Sequence, residues 1–241
     1  MVITTKGIVF SAVKYADSDL IVSCFTESSG LKSYLLHKVL SSRNGKLKAS
    51  YFQPLTQLEL EVVHKDKGTL ERIREAKVAY PYKTLHLDIV KGSLVIFLAE
   101  MLKNTIREEE TNIELYHFLE NSLCWLDNNE NIGNFHIMFL LRLSTYLGFY
   151  PDTSNHHKKY FNLIEGNFQN KITNNYCKEG SSVQGLKQFF GIDFDTISHV
   201  KLTKSTRFET LNLLLMYYKL HLHNFKNPKS LLVLKQLFEH T

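Results

Sequence analysis

Residues 31–60 read LKSYLLHKVLSSRNGKLKASYFQPLTQLEL, and the interpretation of the whole chain turns on them. The first twenty, Leu31 to Ser50, carry five basic side chains, Lys32, Lys38, Arg43, Lys46 and Lys48, and no Asp or Glu. The opening LKSYLLHK has the look of a strand. SSRNGKLK is polar, and Asn44-Gly45 is a turn signal. Beyond it Leu58, Leu60 and Val62 alternate with Gln57, Glu59 and Glu61, the period-two pattern of a half-buried strand. A basic flap between two strands has the right charge and reach to clamp a phosphate backbone.

Similar patterning surrounds this stretch. Residues 6–13 and 20–26 read as two earlier strands, with a turn at 15–19 and a tight Ser28-Ser29-Gly30 connection into the third. Residues 52–63 form the fourth, and a hairpin at 65–68 leads to a fifth at 69–79. Gly7 and Gly30 mark sharp bends. Five short strands with a long third-to-fourth loop suit a small closed β-barrel of the OB type, residues 1–80.

After Pro81 the period changes. Helices fit residues 88–106, 113–126 and 132–147, the last stopped by Gly148 with Pro151 just beyond. Residues 152–180 read as an irregular polar insert, with a possible short strand at 160–164. A short helix fits 181–190, and Thr203 or Ser205 caps a long one through 223. Asn227-Pro228 starts the closing helix at 229–239. The fold class is therefore α+β: an N-terminal barrel, then a larger helical domain at 81–241.

Net charge is +5 over 241 residues, too weak to name a partner by itself. Its distribution says more: residues 1–80 carry net +4, residues 81–150 net −4 and residues 151–241 net +5. Three distant cysteines, Cys24, Cys124 and Cys177, offer no disulfide framework. The N-terminus lacks a signal-peptide core, and uncharged runs such as 131–141 are too short to span a bilayer. The expectation is a cytoplasmic protein, associated with the nucleoid if it binds DNA, with no membrane contact.

Candidate contacts follow from residue chemistry. In an extended strand Lys32, Tyr34, Leu36 and Lys38 share one face. Tyr34 between two lysines is a base-stacking platform, or else a packed barrel residue. Arg43, Lys46 and Lys48 are candidates for backbone phosphates, arginine through two nitrogens and lysine as a point charge. Lys158, Lys159, Lys171, Lys178 and Lys187 form a second basic set, either an extension of the track or ordinary surface charge. Arg142, in an apolar helix, suggests an ion pair with a glutamate such as Glu100. Trp125, Phe118, Met138 and Phe139 read as core. No phosphate-binding GxxxxGK[ST], HExxH or GxSxG occurs, and no catalytic residue, cofactor or metal is called.

The run from Asp19 to Val62 resembles the barrel of the bacterial RecO recombination mediators, through Thr26, Gly30, the basic flap and Gln53-Pro54-Leu55. NFHIMFLLRLSTYLGFYP, residues 134–151, resembles the family's central helix, and KSLLVLKQLF, residues 229–238, its last. The resemblance covers nearly the whole chain. It implies an OB-fold, a helical domain and, in many members, zinc held by four cysteines after the central helix. Here only Cys177 lies in that region, beside the adjacent His156 and His157, so no structural zinc is expected. The resemblance also implies a non-catalytic mediator that binds and anneals single-stranded DNA, contacts the tail of the single-strand-binding protein SSB, and joins RecR to help load RecA. An RNA- or ribosome-associated OB protein is the alternative that charge alone leaves open.

Overall fold

The computed structural model describes residues 2–41, 47–65, 70–107 and 110–240, the side chains of 237–240 excepted. Five antiparallel strands come first: β1 (Val2–Tyr15), β2 (Asp19–Thr26), β3 (Gly30–Leu36), β4 (Gln57–Val63) and β5 (Arg72–Val78). Their order across the sheet is β3-β2-β1-β4-β5. β1 is long enough to pair on both sides, with β4 through Val2 to Ile8 and with β2 through Gly7 to Tyr15. A register shift between Val9 and Ser11 bends it from one neighbour to the other.

The two edge strands then meet. Tyr34 on β3 forms a parallel bridge with Glu71, just ahead of β5. The Glu71 N–H donates to the Ser33 carbonyl at 2.8 Å, and Leu35 N–H donates to the Glu71 carbonyl at 3.0 Å. This closure makes the sheet a five-stranded OB barrel. Val9, Val22, Cys24, Leu58, Leu60 and Val62 fill it. The alternation read in β4 holds: its leucines and Val62 point inward. Gly7 serves close approach rather than a bend, since a Cβ there would lie 2.8 Å from Leu60 Cδ1. Gly30 does turn the chain, at φ 63°.

Between β3 and β4 the expected strand start at residue 52 is replaced by a 3-10 turn, Ala49–Phe52, and by Leu55 at φ 61°. The turn packs Phe52 into the barrel. Residues 66–68 of the expected hairpin lie outside the described residues.

α1 (Ile89–Thr105) starts at Asp88, whose carboxylate accepts the Lys91 N–H at 2.8 Å. α2 (Ile113–Asn128) carries in its last turn Asp127, whose buried carboxylate accepts backbone N–H groups of Lys83, Thr84 and Leu85 at 2.8–3.0 Å. Lys91 Nζ reaches the Asp127 carbonyl at 2.8 Å. Desolvation pushes the Asp127 carboxyl up, but the three backbone donors and the Thr84 hydroxyl outweigh it and hold it below the ordinary carboxylate value. Both helices belong with the barrel in one compact unit, residues 1–128. Gln57, on the outer face of β4, donates to the Glu120 carbonyl of α2.

Residues 129–241 form the second unit. α3 (Phe135–Tyr146) is buried without a break from Phe135 through Leu141. Gly148 follows it at φ 80°, the left-handed stop that the sequence suggests. The insert is not irregular throughout. It carries a small antiparallel sheet, β6 (Tyr160–Asn162), β7 (Asn167–Gln169) and β8 (Cys177–Lys178), in the order β7-β6-β8. α4 (Ser181–Lys187) leads on to α5 (Lys204–His221), where Thr203 is the cap and its hydroxyl accepts Thr206 N–H. α6 (Leu231–His240) begins after the Asn227-Pro228 signal, because residues 229–230 still turn.

Candidate nucleic-acid interface

β3 and β5 share a single bridge. Beyond Tyr34 and Glu71 no further bridge forms among the described residues, and a groove of about 500 Å³ lies there. Leu35 and His37 line it from the end of β3, Arg72, Arg74 and Glu75 from β5, and Glu61 and Leu47 line it as well. Ile73 points into the barrel, so its neighbours Arg72 and Arg74 both point outward and are exposed. Arg74 pairs with Glu61 at 3.3 Å, an exposed contact. The described chain breaks off after Ser41 and resumes at Leu47; Val39, before the break, and Leu47, after it, both line this groove.

The outer face of β1, β2 and β3 adjoins the groove through Leu35. Register places Val13 opposite Ile21 and Ile21 opposite Leu35, an apolar row across three strands. The next row is Ser11, Ser23 and Ser33, and the last two hydroxyls lie 3.2 Å apart. Val13 and Tyr15 are about half exposed, at 53% and 52%. In OB-folds the face of strands 2 and 3 is where oligonucleotides lie.

Asp19 anchors the start of the flap. Its carboxylate accepts the Lys38 N–H at 2.8 Å and the His37 Nδ1 contact at 2.9 Å. Those bonds, the Lys38 backbone first and His37 next, hold the Asp19 carboxyl below its ordinary value.

The sequence-derived residues divide under this geometry. Tyr34 is fully buried, and its hydroxyl meets His64 Nε2 at 3.0 Å. Burial pushes the phenol well up, and no ring face is open to a base, so the stacking platform is withdrawn. Lys38 is exposed but does not continue the strand: β3 ends at Leu36 and Lys38 sits at φ 54°. Lys32 is half-buried opposite Cys24. Lys48 is exposed, with Nζ 5.8 Å from the Tyr51 ring centre. Arg43 and Lys46 lie outside the described residues. Arg72 and Arg74, which line the groove, and Val13 and Ile21, on the outer face, were not singled out in the sequence, although Arg72-Ile73-Arg74 shows the same alternation that identified β4.

The lysines of the second basic set differ in their surroundings. Lys159 is paired with Glu179 at 2.6 Å. Lys187 donates to the Lys158 carbonyl at 2.7 Å and lies over the Phe168 ring, and burial lowers its pKa. Lys158 and Lys178 are half-buried, and Lys171 is exposed. Arg142 donates to the Ile192 carbonyl in place of the glutamate pair.

The insert is tied by amides. Asn162 Oδ1 accepts from Ile164 N–H and from Asn174 Nδ2, at 3.0 and 3.2 Å. Gln169 Nε2 reaches Thr173 Oγ1 at 2.8 Å and Cys177 Sγ at 2.9 Å. Phe161 and Phe168 stack beneath, 4.8 Å apart, with Tyr217 against Phe161. One thiol among neutral amides and a hydroxyl does not fit zinc, which takes thiolate, imidazole or carboxylate ligands.

Two family models cover the chain: Recombination protein O N terminal, over residues 1–82, and Recombination protein O C terminal, over residues 86–231. The chain belongs to the RecO family. The DNA repair protein RecO of Christiangramia forsetii is 49% identical over 238 residues, 99% of this chain and 100% of that protein. That of Flavobacterium psychrophilum is 46% identical with the same coverage. That of Bacteroides fragilis is 35% identical over 240 residues, 98% of each chain. The junction of the two RecO models falls where the barrel ends, whereas the compact units divide after Asn128. The RecO C-terminal model thus begins on helices that pack with the barrel. No helix among the described residues is long and apolar enough to cross a membrane.

Proposed function

We propose that the protein binds and anneals single-stranded DNA as a recombination mediator and, with RecR, helps load RecA onto SSB-coated DNA at the cytoplasmic nucleoid. The observation that carries this reading is the groove between β3 and β5, lined by Arg72 and Arg74 along with Glu61 and Glu75; the acid-free run from Leu31 to Ser50 supports it. Phosphates lie against the arginines and the flap lysines, while bases face the apolar row of Val13, Ile21 and Leu35. Neutralising the phosphates of two strands lowers their repulsion, which promotes pairing without bond chemistry.

Strand annealing tests it. Changing Arg43, Lys46 and Lys48 together to Ala is expected to slow annealing at physiological salt and to weaken single-strand binding. Unchanged annealing would remove the flap from the mechanism. Competition by RNA of equal length separates the RNA-binding alternative, which requires RNA to displace DNA.

A second groove suits the SSB tail, which is acidic and ends in apolar residues. It has a volume of about 380 Å³ and is lined by Phe208, Leu211 and Leu234 together with Lys204, Arg207, Lys235 and one acid, Glu209. Apolar side chains take the tail's end and the cations its acids. Lys204→Glu, at the exposed start of α5, is expected to weaken binding of a tail peptide while single-stranded DNA binding persists; unchanged peptide binding places the tail elsewhere.

A further inference from the structure

β1 runs past its sheet. It pairs with β4 only as far as Ile8 but with β2 as far as Tyr15, so Val13 and Tyr15 have a strand on one side alone among the described residues. Register fixes which way they face. Leu20 and Val22 enter the barrel core, so their partners Lys14 and Ala12 take the barrel side, and Val13 and Tyr15 the outer one, beside Ile21 and Asp19. At its far end this outer face is covered by α2: Phe25 is buried and stacks with Tyr116, ring centres 6.3 Å apart. At the near end Tyr15 is half exposed. Tyr15 and Tyr176 are the exposed aromatic side chains among the described residues, and Tyr176 lies in the insert, in the other compact unit.

Charge distinguishes this end of the face from the groove. Residues 13–19 hold one cation, Lys14, against Asp17 and Asp19. They offer a phosphate no net attraction. To an uncharged base they offer a ring and the methyl groups of Val13. Leu35 joins the two regions: it ends the row Val13, Ile21, Leu35 and also lines the groove with Arg72 and Arg74. Val13 lies two strand spacings from it, about 10 Å.

We propose that Tyr15 is a base-stacking residue: its ring takes a base of a single strand whose phosphates lie against Arg72 and Arg74. The inference rests on the DNA-binding reading above and adds to it the place where a base, rather than a phosphate, is held. Stacking on an aromatic ring tolerates any base, which suits a protein that handles strands of every sequence.

The test uses the full-length protein and two fluorescent probes of equal length, an oligothymidylate and an abasic deoxyribose-phosphate strand. Tyr15→Ala is expected to weaken oligothymidylate binding about ten-fold, to leave the salt slope unchanged, and to leave abasic-strand binding within two-fold. Tyr15→Phe, which keeps the ring, is expected to bind both probes as wild type does. Equal loss on the two probes, or Tyr15→Ala binding the oligothymidylate like wild type, would overturn the stacking site. If Tyr15→Ala fails to fold, Tyr15→Trp decides instead. Its added indole emission is expected to be quenched by oligothymidylate and not by the abasic strand; emission that responds to both alike, or to neither, would overturn the proposal. Absence of oligothymidylate binding by wild type would instead refute DNA binding itself.

Discussion

Tyr34 shows what a single residue's neighbours decide. Flanking lysines made it look like a contact residue, yet its strand alternation also runs through Leu36 and, across the register, Val22. Both partners are buried, and Tyr34 goes with them. The sequence offered both readings; only the closure of β3 against β5 chose between them. Tyr34→Phe removes the hydrogen bond to His64 but keeps the ring. It is expected to cost about 1 kcal/mol of stability and to leave single-stranded DNA affinity within two-fold, as equilibrium denaturation and fluorescence anisotropy would show. A stacking tyrosine would behave differently: Phe would still stack, and stability would not move.

Asp127 sits at the joint between elements, where α2 ends on the 83–85 segment that enters α1. Its folded-state pKa lies below the unfolded value, so its contribution to stability is complete above about pH 4. That contribution fades as pH falls through the lower, folded value. Asp127→Asn is expected to lose on the order of 3 kcal/mol near neutrality and to show a flatter acid-unfolding profile below about pH 4. A mutant profile parallel to wild type would assign the acid sensitivity to other carboxylates.

At this scale most elements were readable because their apolar residues repeat regularly. Strands β1, β2 and β5 and helices α1 to α3 were found within a few residues of their ends. The failures have local causes. The run from Tyr51 into Leu55 is apolar enough for a strand, but Leu55 turns left-handed and its N–H donates to the Val9 carbonyl, a tertiary bond that no window reveals. Of the insert's strands β6 falls within the short strand read at 160–164, whereas β7 and β8, three and two residues long, are too short for any period to register. Their stability comes from amide side chains that read only as polar loop.

For the whole molecule, the charge layout identified a basic barrel and its flap, but not the groove. The groove lies where two edge strands far apart in sequence are joined by one bridge, and sequence patterning does not encode where edge strands meet. Arg72 and Arg74 were visible as outward residues of β5; their place in one groove with Leu35 and His37 was not. The division after Asn128 was equally hidden, since the change from strands to helices near residue 80 is the stronger compositional signal.

The groove's role is tested most directly by the salt dependence of oligothymidylate binding in wild type and in Arg72→Ala/Arg74→Ala, measured between about 50 and 200 mM salt. The double variant is expected to bind more weakly, with a log–log slope shallower by about 1.4, two phosphates' worth on a single strand. An identical slope and affinity in the two proteins would contradict a DNA track between β3 and β5.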